Sequence, residues 1–375
     1  MTRVLNVISD SNIGGAGRVL LNYLRYADRE KFETLIAVPR GSQLAAPLRE
    51  LGGTVYEVDG LAERSYHKDD VKTLEALIDE VKPDIVHTHG SLSGRIAGRR
   101  RGRVVIYTRH SAFPVPAKLR YPPGRWVNKI VNEHYADHII AVSPAAAKNL
   151  TDAGISEKKI TVMMNGVAPV PRSDAAVCAA KRAEWGIETG DFVLGILARI
   201  EPYKGHLHIV EAAELLKAEG RRFKVLIAGE GGYEAELKDE VARRGLENEV
   251  RFLGFCSDVA PFLSVLDVQL NASYGTETSS LSILEGMSMG VPAVVSSYGG
   301  NPWLIDDGED GLIFPNRDSV GLKAAVARLM DEPETLARMQ KRAVEIFHER
   351  FTGEIFARNV ERVYSKAMEE TRHGR

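Results

Sequence analysis

The chain has 375 residues, enough for two domains with sizeable cores. Hydrophobic residues make up 44% and charged residues 27%, near the averages for folded soluble proteins, which excludes a disordered polymer, a fibre or a small stapled scaffold. The formal net charge is only −2, and Cys178 and Cys256 form no C-x-x-C pair, so neither a disulfide framework nor a metal site is expected.

The first residues, Met1–Asp10, hold a short apolar run that turns polar at once, too short for a secretory signal. No stretch approaches the ~20 apolar residues of a spanning helix. The expectation is a cytoplasmic protein able to touch the inner face of a membrane peripherally. Short β-rich runs then alternate with helical patterns, the signature of a parallel α/β architecture. Strands are predicted at Val4–Ile8, Thr34–Val38, Thr54–Val58, Ile85–His89, Val104–Thr108, His138–Val142 and Ile160–Met163. Helices are predicted between them at Arg18–Ala27, Gln43–Leu51, Val71–Val81 and Pro144–Ala153, the last marked by a Ser143 cap and Pro144 in the first turn.

The alternation lapses across the turn-rich stretch Asn165–Asp174, which predicts a domain boundary there. It resumes with strands at Phe192–Leu197, Phe223–Ala228, Val250–Leu253, Val268–Asn271 and Ala293–Ser296 and helices at His206–Ala218, Tyr233–Arg244 and Leu281–Met289. After Asp318 the sequence reads as helical. Its last amphipathic stretch, Thr352–Glu369, is expected to cross back to the first domain. The expected division is therefore 1–170, 171–350 and a C-terminal helix within 351–375.

Charge is uneven along this frame. Residues 1–170 carry 24 Lys and Arg against 18 Asp and Glu, and the rest carry 25 against 33. Between Asp84 and Glu133 lie ten basic residues (Arg95, Arg99, Arg100, Arg101, Arg103, Arg109, Lys118, Arg120, Arg125, Lys129) and no acid. Such a segment, 85–132, points to an anionic partner. A nucleic acid is disfavoured, because no recognition motif or stacking array accompanies the charges. Phe113, Leu119, Tyr121 and Trp126 are interleaved with them like interfacial anchors, which suits an anionic membrane surface. An ordinary solvated face accounts for the charges equally well.

Four motifs fall after predicted strands, where doubly wound sheets bind ligands. Ser11–Arg18 contains Gly14, Gly15 and Ala16 ahead of a helix, a place where backbone N–H groups can approach an anion; the spacing is not G-x-G-x-x-G, which counts against a nicotinamide enzyme. Ala198–Gly205 carries Arg199 and Lys204, a planar fork and a point charge able to converge on one diphosphate. Gly229, in Ala228–Gly232, marks another close-approach loop. Gly275–Gly290 places Glu277 before a helix and Glu285 within it, with Thr278, Ser279, Ser280, Leu281 and Ser282 between. A loop carboxylate can accept hydrogen bonds from sugar hydroxyls, a helical one can chelate a ribose diol, and the free N–H groups at the helix start suit phosphate.

Glu277-x7-Glu285, the Arg199 and Lys204 pair, the Gly14-Gly15 loop and Pro83–Gly90 together resemble the retaining GT-B glycosyltransferases of family four (glycosyl transferases group 1), over nearly the whole chain. The resemblance implies two Rossmann-like, doubly wound parallel-sheet domains facing across a cleft, the N-terminal one binding the acceptor and the C-terminal one the nucleotide-sugar donor. It implies that Arg199 and Lys204 hold the donor diphosphate, Glu285 the ribose and Glu277 the donor sugar. The Gly14-Gly15 backbone would meet phosphate or sugar, and His110, in Thr108–Ser111, matches the family's active-site histidine. His87 and His89 read as structural or acceptor-side residues.

A front-face transfer without a cofactor is implied. The sequence has no Asp-x-Asp, and Arg199, Lys204 and helix ends can stand in for a metal. The base would be read near Gly254-Phe255-Cys256, with UDP the leading expectation. The acceptor expected is a lipid-linked or cell-envelope glycan; a soluble small-molecule acceptor and a non-catalytic nucleotide-sugar-binding protein are the alternatives.

Overall fold

The computed structural model describes residues 1–61 and 64–373. Two compact units are built from the chain, one from Met1–Val167 together with the segment from Phe351 onward, the other from Ala168–Arg350. The divide falls at Val167, three residues before the expected boundary and inside the turn-rich stretch that predicts it.

In the first unit β1 (Thr2–Ile8), β2 (Phe32–Pro39), β3 (Thr54–Val58), β4 (Ile85–His89), β5 (Val104–Arg109), β6 (His138–Ala141) and β7 (Ile160–Val162) form one parallel sheet in the order β3-β2-β1-β4-β5-β6-β7. Val4–Ile8 and every residue of β4 are buried, as a sheet covered on both faces requires. In the second unit β8 (Phe192–Leu197), β9 (Phe223–Ala228), β10 (Val250–Gly254), β11 (Val268–Asn271), β12 (Ala293–Ser296) and β13 (Gly311–Phe314) form a second parallel sheet in the order β10-β9-β8-β11-β12-β13. The strand order reverses between β1 and β4 in one sheet and between β8 and β11 in the other. Those two points are where a doubly wound sheet opens a crevice beyond its carboxyl ends.

The sequence alternation did not reveal β13, Gly311–Phe314, nor the helices Leu92–Arg100 and Gly124–His134. Leu92–Arg100 is disguised by its arginines. Arg95 is buried there, its guanidinium 4.4 Å over the Tyr107 ring and donating to Asn132 Oδ1 at 2.8 Å.

The chain re-enters the first unit at Phe351, whose carbonyl accepts from Val167 N, while Gly353 N donates to the Val167 carbonyl. The helix Gly353–His373 then lies against Gly15–Tyr26. Its Tyr364 is completely buried, edge-on to Tyr23 and against Phe32, and its hydroxyl meets His87 Nδ1 at 2.7 Å. Replacing Tyr364 by alanine should therefore destabilise the first unit by about 3–5 kcal/mol. Tyr364→Phe, which keeps the ring but orphans His87 Nδ1, should cost about 1–2 kcal/mol. Urea unfolding followed by far-UV circular dichroism measures both, and equal losses would mean that the hydroxyl, not the ring, holds the helix.

Candidate functional site

The predicted site residues fall into two groups, one at the carboxyl ends of each sheet. In the second unit, β8 leads through Arg199 into a short turn at Pro202–Lys204 and then the helix His206–Ala218. On the other side of the switch point β11 leads into the loop that carries Glu277. Tyr274 N donates to the Tyr203 carbonyl, so the two loops are tied together.

Lys204 Nζ lies 2.9 Å from Glu277 Oε2, which also accepts from Ser273 Oγ at 3.1 Å and Asn271 Nδ2 at 3.2 Å. Glu277 is only 7% exposed. Burial pushes its carboxyl up, but the Lys204 ammonium and the three hydrogen bonds outweigh burial and hold it below the ordinary glutamate value. Arg199 does not join this pair. Its guanidinium reaches toward Tyr203 Oη at 3.4 Å and stays exposed.

Behind Glu277, Gly300 N donates to its carbonyl, and Gly299 adopts a left-handed φ of 63° against the same carbonyl, where a Cβ has no room. Thr278 and Ser279 are buried in this loop, and Ser279 Oγ has no hydrogen-bond partner among the described residues. An orphaned buried hydroxyl in this loop is a group that a ligand can satisfy. Ser280 opens the helix Leu281–Ser288 without capping it; its hydroxyl pairs with Ser282 Oγ instead. Gln269 Nε2 pins the Ser282 carbonyl at 3.0 Å, fixing the helix start to β11. Leu281 and Glu285 are half-buried on that helix.

Gly229, after β9, has a φ of 139° and abuts the Ala198 carbonyl, a close approach that no side chain allows. Its N–H donates to Gly254, and Phe255 N lies 3.3 Å from Glu230 Oε1, so the three loops after β8, β9 and β10 are laced together. Phe255 itself is largely exposed beside them.

In the first unit Gly14 precedes the helix Gly15–Tyr26 and brings no side chain to its first turn. Gly14 N donates to the Asn12 carbonyl at 2.9 Å, and nothing lies within 4 Å of where a Gly15 Cβ would be, so the helix start is left uncrowded by side chains. His110 follows β5. Its Nε2 is 2.9 Å from His89 Nδ1, the rings stacked at 5.2 Å, and His89 Nε2 is 3.1 Å from Asn6 Oδ1. His87 bridges Tyr364 and Thr108 Oγ1, the latter at 2.6 Å. Burial lowers His110 to about 4 and His87 to about 3, and holds His89 well below its usual value, so the three imidazoles are neutral at pH 7.

His89, read from the sequence as structural or acceptor-side, is placed against His110, a partner the sequence reading did not foresee. The alternation of β4 carried the signal, since neighbouring parallel strands in register place His89 beside Thr108, two residues before His110.

The fold divides the basic segment 85–132 into paired and unpaired charges. Arg99 pairs with Asp137 at 2.7 Å, Arg101 with Asp79 at 2.9 Å and Arg100 with Glu75 at 3.5 Å, acids that lie outside the acid-free interval. With Arg95 buried and Arg109 bonded to Ser111 and Asn149, half of the ten charges are internal or paired rather than offered to a partner.

A pair of doubly wound parallel sheets with cationic and carboxylate loops at one switch point and a histidine relay at the other defines a GT-B glycosyltransferase. The Glycosyl transferases group 1 model matches residues 179–346 and the Glycosyltransferase Family 4 model residues 13–170, and the chain belongs to this family. Similar proteins include EpsD of Bacillus subtilis, 28% identical over 72% of this chain and 73% of its own, and a D-inositol 3-phosphate glycosyltransferase of Kribbella flavida, 28% identical over 79% and 74%. Anabaena HepE, solved with UDP, superposes with a TM-score of 0.84 at 20% identity, covering 98% of this chain and all of its own.

Two outcomes follow from the electrostatics. Lys204→Ala leaves a buried carboxylate without its cation and should destabilise the second unit by about 3–5 kcal/mol, most of which Glu277→Gln in the same chain should restore; denaturant unfolding of the single and double variants measures it. The imidazoles have folded-state values below 6.5, so the unfolded chain binds protons first. Stability should be full well above pH 6.5 and fall by about 2 kcal/mol each for His87 and His110 on going to pH 5, with His89 adding a loss in the same direction. Urea midpoints that do not move between pH 7.5 and 5 would contradict buried neutral rings.

Proposed function

We propose that the chain transfers a sugar from a nucleotide-sugar donor, UDP-linked, to a lipid-linked or cell-envelope glycan acceptor with retention at the anomeric carbon. The observation that carries the donor assignment is the pairing of the half-buried Lys204 with the buried Glu277 beside the uncapped helix Leu281–Ser288 at the β8 and β11 switch point. Such a loop offers a cation, an orphaned hydroxyl and free N–H groups to a diphosphate, and a fixed carboxylate to hydroxyls. Similarity to structures solved with UDP and UDP-glucose favours the base and donor type.

In this reading Arg199 and Lys204 take the donor phosphates, and Lys204 exchanges part of its contact with Glu277 for them. Glu277 Oε1, the oxygen on which none of its three bonds to Lys204, Asn271 and Ser273 falls, receives the donor-sugar hydroxyls. Glu285 holds the ribose, Phe255 offers a face for the base, and Gly229 lets the backbone come close. As the bond from the anomeric carbon to the phosphate oxygen breaks, charge gathers on the leaving diphosphate, where the cations and helix N–H groups stabilise it. The acceptor hydroxyl attacks from the same face, and its proton passes to the departing phosphate oxygen. His110, neutral and held by His89, contributes a hydrogen bond to the sugar rather than a charge, and the Gly14, Gly15 and Ala16 backbone meets the transferred group. The positive charge supplied by Arg199 and Lys204 supports turnover without added metal.

The reading is tested by thermal unfolding with UDP-, GDP- and ADP-sugars in EDTA. A donor at 100 times its dissociation constant adds about 2.7 kcal/mol, a rise of roughly 5–10 °C in the second unit. The rise should come with UDP-sugars alone and vanish in the Lys204→Ala/Glu277→Gln double variant, whose turnover should fall at least about 100-fold despite restored stability. No shift with any nucleotide sugar would overturn the donor assignment.

A further inference from the structure

The helix Gly124–His134 is amphipathic the wrong way round for a water-exposed protein surface. Its polar side faces inward, where Asn128 Nδ2 donates to the Ala153 carbonyl at 2.8 Å and Asn132 donates to the Asn128 carbonyl at 2.8 Å while accepting from Arg95. No residue of the helix is buried. Trp126 and Ile130, one turn apart and 63% and 66% exposed, point away from those asparagines, with Val127 beside them. Tyr121 and Phe113, just before the helix, are exposed as well.

Cations surround this apolar strip. Lys118, Arg120, Arg125 and Lys129 are exposed and have no ion-pair partner among the described residues, unlike the arginines of Leu92–Arg100. Gly124 sits against the Lys118 carbonyl, which keeps the Ala117–Arg120 turn beside the helix. No acid interrupts residues 85–132. Apolar side chains outward, an aromatic at the edge and basic residues on the flanks match the boundary between acyl chains and anionic headgroups.

From this we propose that Phe113–Ile130 is a docking surface for an anionic lipid bilayer, with Trp126, Val127 and Ile130 entering the headgroup boundary and Lys118, Arg120, Arg125 and Lys129 contacting the lipid phosphates. The charge complementarity selects a bilayer over a second copy of the chain, whose matching face would bring like charges together. This goes beyond the transfer reaction and does not depend on it.

The experiment is flotation of the full chain, without donor, on vesicles of phosphatidylcholine alone or with about 30% phosphatidylglycerol. Wild type should float with the anionic vesicles only, and less so in roughly 0.5 M salt. Each charge removed should lower partitioning roughly five-fold, so K118Q/R120Q/K129Q should lose about 100-fold. W126S/I130S should also stay in the soluble fraction, and both variants should melt like wild type because the replaced side chains are exposed. Wild type that ignores anionic vesicles, or variants that float like wild type, would overturn the proposal. So would a dimer in sedimentation velocity that W126S/I130S converts to monomer while vesicle binding stays absent. Because no donor is present, flotation and the nucleotide-sugar shifts can fail independently.

Discussion

A parallel sheet covered on both faces can offer chemistry only at its edges and ends, and this constraint organises both units. The buried strands are mostly apolar, and polar exceptions such as Asn6, His89 and Asn271 sit toward their carboxyl ends, where the following loops begin. Where successive strands are laid down on opposite sides of the first, neighbouring loops diverge and leave room for a ligand. Both sheets reverse at such a point, and the charged or polar residues of interest gather at the carboxyl ends of the central strands: Asn6 within β1, His89 at the end of β4 and His110 just after β5, and Arg199, Lys204 and Glu277 in the loops after β8 and β11.

The two switch points are chemically opposite. One holds ionised groups in a dry loop, where Glu277 keeps its charge because a lysine and three hydrogen bonds offset desolvation. The other holds imidazoles that burial strips of charge, so they can pass hydrogen bonds along a line without placing a cation beside the sheet.

Much of this was legible in the sequence because it is local. All strands but β13, the loops after them and the spacing from Glu277 to Glu285 are written in consecutive residues. What escaped depends on residues distant in sequence. The acids that neutralise Arg99, Arg100 and Arg101 come from Glu75, Asp79 and Asp137, so a run of basic residues that looks uniform in the sequence divides into internally paired charges and others, such as Lys118, Arg120 and Lys129, left exposed. The same holds for His89, whose contact with His110 is set by strand register, and for Lys204, whose pairing with Glu277 spans 73 residues. The inverted helix Gly124–His134 escaped for another reason. Its apolar residues have helical spacing but face away from the core, and periodicity reports a stripe without saying which way it points.

The return of the chain to the first unit at Phe351 has a consequence for biosynthesis. A ribosome adds roughly 5–20 residues per second, so Met1–Val167 leaves the tunnel many seconds before Tyr364 exists. Throughout that interval Tyr23, Phe32 and the apolar face of Gly15–Tyr26 lack the helix that covers them, while Ala168–Arg350 is contiguous and can fold as it emerges. The unit made first is thus the unit finished last. Until the final helix arrives, the nascent chain displays an uncovered aromatic surface of the kind that chaperones engage.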